Sequence, residues 1–261
     1  MNIWDIDFHV GLTFENGRAW VAEDKVVDLL DRYGIERAVI SASGLGPDGW
    51  VDANLRISKL VASANDRLIG GYTSPTNAFR ESETLKEYAE ELVANGISCI
   101  RLMPETGPQA APMVLGKDCA ILEAIEVYAM HRVPLILPVG HFFTGKKRFE
   151  YGPDAIERIA KQFPEMPIIL VQGNYRLMQV LEGMLKRCSN LYLTISGLGL
   201  FYQLESLVRR IGAERFVFGS GAPEMEPSMG IGMLLWSRLS VEEKQKIASS
   251  NVAGILGKSK C

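Results

Sequence analysis

Eight short apolar runs alternate with longer amphipathic stretches along the chain, and this alternation restricts the fold more than any other feature. The short runs are rich in β-branched residues, which is typical of strands. Strands that alternate with helices become parallel neighbours, because each crossover needs a dozen or more residues. The candidate strands read "IWDIDFHV", "RAVISAS", "LIGGYTSP", "SCIRLMP", "PLILPVG", "PIILVQG", "LYLTIS" and "RFVFGSG".

Eight strand–helix units at a spacing of roughly 30 residues predict a closed (β/α)8 TIM barrel. An open doubly wound sheet is the main alternative, but no G-x-G-x-x-G motif follows the first strand. An additional C-terminal helix over residues 240–256 opens with a capping box made by Ser240 and Glu243. The other predicted helices span residues 20–33, 51–65, 81–95, 118–131, 153–163, 176–188, 202–211 and 230–237.

The chain of 261 residues has no low-complexity segment or proline-rich linker, so we expect one domain over residues 1–261. Its net charge of −3, with both signs interspersed, argues against nucleic acid or an anionic membrane as a partner. Its four cysteines lack C-x-x-C spacing and are interpreted as reduced thiols of a cytoplasmic protein. Without a signal-peptide pattern or an apolar run of roughly 18 residues, neither export nor membrane insertion is expected.

The chemistry of a TIM barrel lies at the carboxyl ends of its strands and on the loops that follow. Polar side chains are concentrated at these positions in the sequence. In chain order, they include His9, Ser41, Thr73, Arg101, His141, Gln172, Tyr175, Arg176, Ser196, Ser220 and Glu224. The sequence therefore predicts a pocket at this mouth of the barrel.

The first strand carries the densest group of chemically active residues, in the stretch "DIDFHVG" over residues 5–11. Asp5, Asp7 and His9 are two positions apart, so on an extended strand they would share one face. Carboxylates and an imidazole that point the same way are typical of a site. The pattern ends at Gly11, where a further metal-binding side chain could have continued it.

Over nearly its full length the chain resembles the amidohydrolase superfamily, in particular its amidohydrolase-related (amidohydrolase 2) branch of metal-dependent decarboxylases and hydrolases. The opening "IDFHVG" is similar to the I-D-x-H-x-H motif of that family. The segments "VPLILPVG" and "FPEMPIILVQGN" resemble its fifth and sixth strands. The most specific matches are "IGAERFVFGSGAP" at the eighth strand and "LSVEEKQKIASSNVAGILG" at the closing helix.

Members of this family that hold a metal use the H-x-H pair, histidines that end strands five and six, and an aspartate that ends strand eight. Of these positions only the first histidine is kept here, as His9. The other four are occupied by Gly11, Pro138, Gln172 and Gly221. Because zinc needs three or more imidazole, thiolate or carboxylate ligands, the resemblance implies a degenerate metal site and no expected cofactor.

These residues lead to a main hypothesis: the barrel binds a small anionic compound, or processes it without a metal. The candidate catalytic residues are His9, His141 and Glu224. The candidate ligand-binding residues are Arg101, Gln172, Tyr175 and Arg176. The Arg101 guanidinium could clamp a carboxylate, or it could form a buried ion pair with Asp7 or Glu105.

Two alternatives stay open. The chain could be a metal-dependent hydrolase or decarboxylase whose ligands have moved, for example to His9, His141 and Glu224, with a divalent ion such as zinc. It could also be a non-catalytic scaffold subunit that keeps the fold for assembly. Family members are often oligomers, so a homo-oligomer is expected, and the methionines of "MEPSMGIGMLLW" are interpreted as helix packing or oligomer surface.

Overall fold

Eight parallel strands form the wall of the barrel in a computed structural model. The model describes residues 1–12, 20–42, 49–64, 66–75, 82–103, 121–139, 152–173, 177–200 and 202–257. The parallel strands are β1 (Trp4–Leu12), β3 (Arg37–Ala42), β4 (Leu68–Pro75), β5 (Cys99–Met103), β6 (Leu135–Pro138), β7 (Ile168–Val171), β8 (Leu191–Thr194) and β9 (Phe216–Val217). Each pairs with the next along the chain, so the predicted TIM barrel is confirmed.

Backbone hydrogen bonds between β1 and the residues that follow β9 bring the barrel close to full closure. Ile6 N donates to Phe218 O over 3.1 Å, and His9 N donates to Ala222 O over 2.7 Å. Gly221 N donates in the other direction, to Asp7 O, over 2.9 Å. The end of β9 is thereby fixed directly beside the strand that carries His9.

The helices pack outside the strands and agree with the predicted ones within a few residues at most ends. They are α1 (Val26–Tyr33), α2 (Gly49–Ser63), α3 (Ser82–Ala94), α4 (Ile121–Met130), α5 (Pro153–Gln162), α6 (Met178–Arg187), α7 (Gln203–Ile211), α8 (Pro227–Trp236), α9 (Val241–Gln245) and α10 (Asn251–Gly257). A π-helical segment, Lys246–Ser250, joins α9 to α10, so the predicted C-terminal helix is continuous but locally widened. None of the helices in the described ranges is long and apolar enough to cross a membrane.

The starts of two predicted helices can be compared with the structure. The capping box is confirmed, because Glu243 N donates to Ser240 Oγ while Ser240 N donates to the Glu243 carboxylate. The predicted helix over residues 20–33 was wrong at its start. Trp20 and Val21 form strand β2, which pairs antiparallel with Leu12 and Gly11 of β1, and the α-helix begins only at Val26.

The apolar core has two parts, one on each side of the barrel wall. The larger cluster fills the space between the strands and the surrounding helices. The smaller cluster lies inside the barrel, where residues such as Val39, Ile136 and Ile169 pack with Val252 and Ile255 of α10. Because apolar side chains fill one part of the interior and α10 packs against them, the polar interior residues described next are confined to the remainder.

Candidate active site

A buried carboxylate, Asp7, connects the two most informative side chains of the barrel interior. The Asp7 Oδ1 atom lies 3.0 Å from His9 Nε2 and also accepts a hydrogen bond from the Arg101 guanidinium. Arg101 is 1% exposed, and it is the largest of the fully buried side chains among the described residues. The arrangement found for Arg101 is therefore the buried ion pair with Asp7 that sequence analysis held as an alternative to ligand binding.

The charge of Asp7 decides which nitrogen of His9 carries a proton. Burial by itself would raise the pKa of Asp7, but the positive charge of Arg101 and the hydrogen bond with His9 outweigh it and lower the pKa to about 2. An ionised carboxylate can only accept hydrogen bonds, so His9 Nε2 must be the donor. When the imidazole is neutral, its Nδ1 atom therefore presents a lone pair that can bind a metal or accept a proton.

A bulge in β1 separates Asp5 from the other two residues of the "DIDFHVG" stretch. The register of β1 with β3 shifts between Asp5 and Phe8, which interrupts the strict alternation expected from the sequence. Asp5 Oδ1 accepts hydrogen bonds from Asp7 N and Ser220 N, both over 2.9 Å. Asp5 thus holds the bulge and the end of β9 together, while Asp7 contacts His9.

The buried position of Asp5 predicts a pH-dependent stability. Burial raises the pKa of Asp5 from 3.8 to about 6, against the opposing hydrogen bonds from Ser220 and Asp7. Between these values the folded protein keeps a proton on Asp5 that the unfolded chain loses, so stability falls as pH rises through this window. Above this pH window the folded protein bears the full cost of the buried Asp5 charge, on the order of 3 kcal/mol of unfolding free energy.

Asp5→Asn should remove this penalty, because the amide keeps an oxygen acceptor and carries no charge. We expect the variant to gain on the order of 2–3 kcal/mol relative to the parent protein between about pH 4 and about pH 7.5. Urea unfolding of both proteins at the two pH values measures the gain, and all other titrating groups are shared. If the two proteins differed in unfolding free energy by the same amount at both pH values, Asp5 would ionise normally.

Gln172 and Glu224 form a second polar pair, on the segments that follow β7 and β9. Gln172 Nε2 donates to Glu224 Oε2 over 3.3 Å, and Gln172 is only 8% exposed whereas Glu224 is exposed. The Gln172 Oε1 atom is buried and has no hydrogen-bond partner in the described part of the chain. The backbone of Gln172 has a left-handed φ of 59°. This conformation costs a non-glycine residue energy and is enriched at functional sites.

The remaining family ligand positions hold residues whose side chains offer no ligand atom. Gly11 has φ 92° where β1 meets the hairpin strand, and Gly221 has φ 72° beside β1. A Cβ atom at Gly221 would meet only Met225, at 3.6 Å, so the left-handed backbone, more than lack of space, disfavours a side chain there. Pro138 is the last residue of β6 and offers no ligand atom in its side chain.

Four other residues that the sequence suggested for the site lie outside the described residues, namely His141, Tyr175, Arg176 and Glu105. Sequence analysis missed Asn54 of α2, whose side chain both donates to Thr73 O and accepts from Thr73 N over 2.8 Å, fixing the end of β4. Its signal was a polar residue at a core-facing helical position, next to the fully buried Ala53.

The donors in the described part of the barrel fit a divalent ion only in part. His9 Nδ1 and Gln172 Oε1 are available, and Glu224 adds a carboxylate. Among the described residues, however, no group of three or more His, Cys, Asp or Glu side chains could hold a metal ion. A complete ligand set would require a residue from outside these ranges.

Comparisons with known proteins agree with the barrel and identify a family. The family model described as amidohydrolase matches residues 23–258. No curated protein matches the chain. An uncharacterized TIM-barrel protein from Bordetella bronchiseptica has a similar structure, with 16% identity, a TM-score of 0.74, and coverage of 99% of this chain and 100% of that one.

Two similar solved structures are decarboxylases with manganese. A dihydroxybenzoic acid decarboxylase from Polaromonas sp., with bound manganese and the inhibitor 2-nitroresorcinol, has 16% identity and a TM-score of 0.74 over 98% of this chain and 97% of that one. A 5-carboxyvanillate decarboxylase from Novosphingobium aromaticivorans, complexed with manganese and 4-hydroxy-3-methoxy-5-nitrobenzoic acid, has 13% identity and a TM-score of 0.75 over 98% and 96% of the two chains. These structures overturn the sequence-based expectation that no cofactor is needed, which was wrong because it counted only the family's usual ligand positions.

Proposed function

Because the chain belongs to the amidohydrolase family, we propose that it is a metal-dependent lyase that decarboxylates a small carboxylated compound at the mouth of the barrel. The observation that carries this proposal is the Asp7–His9 pair within β1. A histidine that binds a metal almost always donates its other ring N–H to a carboxylate or carbonyl. His9 meets this condition through Nε2, and it stands at the one family ligand position that the sequence keeps.

Such an ion would be held by His9 Nδ1 together with Glu224 and His141, the relocated ligands of the sequence-based alternative. When bound, a divalent ion supplies Lewis-acid stabilisation of negative charge on the substrate. The oxygen-rich neighbourhood of Gln172 and Glu224 suits a hard ion such as manganese. The two manganese-containing decarboxylases support this choice of ion and of reaction class.

The protein's own residues position the reactants. Asp7 orients His9, and Arg101 keeps Asp7 ionised. Glu224 is the described carboxyl group that reaches the mouth from the segment after β9, and its contact with Gln172 fixes it there. In the proposed reaction, the carbon that loses carbon dioxide must gain a proton. Glu224 as a ligand of the ion would have no proton to give, so the proton comes from water.

Release of carbon dioxide from a panel of hydroxybenzoates, with and without added manganese, tests this function. Added manganese should raise the rate, and Glu224→Gln should lower kcat by about 100-fold or more, because it removes a charged ligand of the ion. Glu165→Gln is the matched control, because Glu165 precedes β7 at the opposite end of the barrel and is exposed. A Glu224→Gln protein as active as the parent would remove Glu224 from the mechanism, and no manganese-dependent release from any carboxylated ring would contradict the lyase.

A further inference from the structure

Helix α8, over Pro227–Trp236, is apolar around its whole circumference although one side faces solvent. The sequence "PSMGIGMLLW" contains no charged residue in ten positions. Pro227, Gly230 and Leu234 are buried against the barrel, and Gly230 packs on Phe218. A helix that is apolar on all sides is normally covered on all sides, so the outward face of α8 is a candidate interface.

The outward face presents side chains that a monomer would normally hide. Met229, Leu235 and Trp236 are 63%, 51% and 87% exposed. Leu200 and Val241, on the neighbouring segments, are 56% and 84% exposed. An exposed apolar patch of this kind is typical of a protein interface.

Beside these exposed side chains lies a groove of about 840 Å³ that could receive the same side chains of a second copy. One wall is formed by Leu198, Leu200 and Tyr202, and the other by methionines of the α8 region together with Trp236. Methionine side chains adapt to the shape of an apolar partner. The same surface therefore carries both a projecting tryptophan and an apolar groove, which is the self-complementarity that a two-fold interface needs.

The charges at the two ends of α8 fit a second copy of the same helix in the antiparallel direction. Glu226 precedes the helix, and it accepts hydrogen bonds from Ser228 and Tyr33. Arg238 follows the helix and stacks on Tyr202. Within the described ranges neither residue has an ion-pair partner of opposite charge. An antiparallel copy would place each Glu226 near the Arg238 of the other protomer.

Gly232 lies midway between these two charges along the sequence. A Cβ atom added there would meet nothing within 4 Å, so Gly232 faces open space. A two-fold axis at Gly232 would pair Met229 with the partner's Leu235. The absence of a side chain at the crossing point would let the two backbones approach to about 8 Å between helix axes.

We propose that the protein forms a homodimer through antiparallel packing of α8 around Gly232. The exposed apolar side chains of the patch offer on the order of 400–500 Å² per protomer. A standard interface buries about 800 Å² per partner, of which somewhat more than half is apolar. The area is thus sufficient for a stable dimer, and the proposal is independent of the reaction at the barrel mouth.

Sedimentation equilibrium of the full chain and of two matched variants tests the interface. The parent protein should be a dimer at micromolar concentration, and Met229→Glu should raise the dimer dissociation constant by at least about 30-fold. Met130→Glu is the control, because Met130 at the end of α4 is 72% exposed and lies outside the patch. A monomeric parent protein, or equal dimerisation of both variants, would overturn the proposal.

Gly232→Leu tests the crossing point, because a side chain there would hold the two backbones apart. In sedimentation equilibrium it should raise the dimer dissociation constant by at least about 10-fold. Gly254→Leu is the matched control, because Gly254 is an exposed helical glycine of α10 where an added Cβ atom likewise meets nothing within 4 Å. Equal dimerisation of the two variants would contradict the two-fold axis at Gly232.

Discussion

Arg101→Met should lower the free energy of unfolding by about 3–5 kcal/mol, because it leaves the buried charge of Asp7 without its cation. Asp7 is fully buried, and its side-chain partners in the described structure are the Arg101 guanidinium and His9. Without Arg101 the carboxylate must either stay charged in an apolar interior or take up a proton. Urea unfolding at neutral pH measures the loss.

Two further variants separate the buried pair from the general effect of removing an arginine. Arg132→Met removes an exposed ion pair with Glu165, whose atoms are 3.7 Å apart, and should cost less than about 1 kcal/mol. The double variant Asp7→Asn/Arg101→Met removes both buried charges and should recover at least half of the loss. If Arg101→Met cost no more than Arg132→Met, Arg101 would not be held by a buried ion pair in solution.

His9→Ala should weaken manganese binding by at least about 100-fold, since it deletes the one family ligand that the chain keeps. Asp7→Asn should have a smaller effect, about 10- to 100-fold, because it removes only the carboxylate that orients His9. Titration calorimetry with manganese chloride gives both affinities. The order of the two effects distinguishes a direct ligand from its supporting partner.

His131→Ala is the control for this series, because His131 follows α4 on the exposed surface. It should bind manganese as the parent protein does. An unchanged affinity in His9→Ala would exclude His9 as a ligand. An equal loss in His9→Ala and His131→Ala would indicate nonspecific binding to surface imidazoles.

The barrel could be predicted from the sequence because its signals are local and repeated. Each buried strand gives a short apolar run, and each outer helix gives an amphipathic one, so the eight units are visible without any knowledge of contacts. The capping box at Ser240 is equally local, since donor and acceptor are three residues apart. Trp20 was assigned wrongly because a strand of two residues is too short to show the alternating pattern by which strands are recognised.

The candidate site was only partly predictable, because its decisive contacts connect distant residues. Asp7 and Arg101 are separated by 94 positions, so the sequence offered their ion pair only as one alternative, beside ligand binding and a pair with Glu105. The bulge after Asp5 depends on the register with β3 and not on a motif. The left-handed backbone of Gln172 likewise has no sequence signal, because glutamine is not a residue that favours this conformation.

The metal expectation failed for a different reason. Counting the family's ligand positions shows that Gly11, Pro138 and Gly221 supply no side-chain donor, but it does not show where other donors lie in space. Gln172 and Glu224 come from positions 52 residues apart, yet their side chains meet. Donors gathered in this way are found only once the barrel has closed.

The metal content of protein purified without an affinity tag or chelator tests the central claim most directly. We predict about one equivalent of a divalent transition metal per chain by plasma mass spectrometry, and its loss in His9→Ala. Less than about a tenth of an equivalent, with no uptake of added manganese, would contradict a metal-dependent enzyme built on His9.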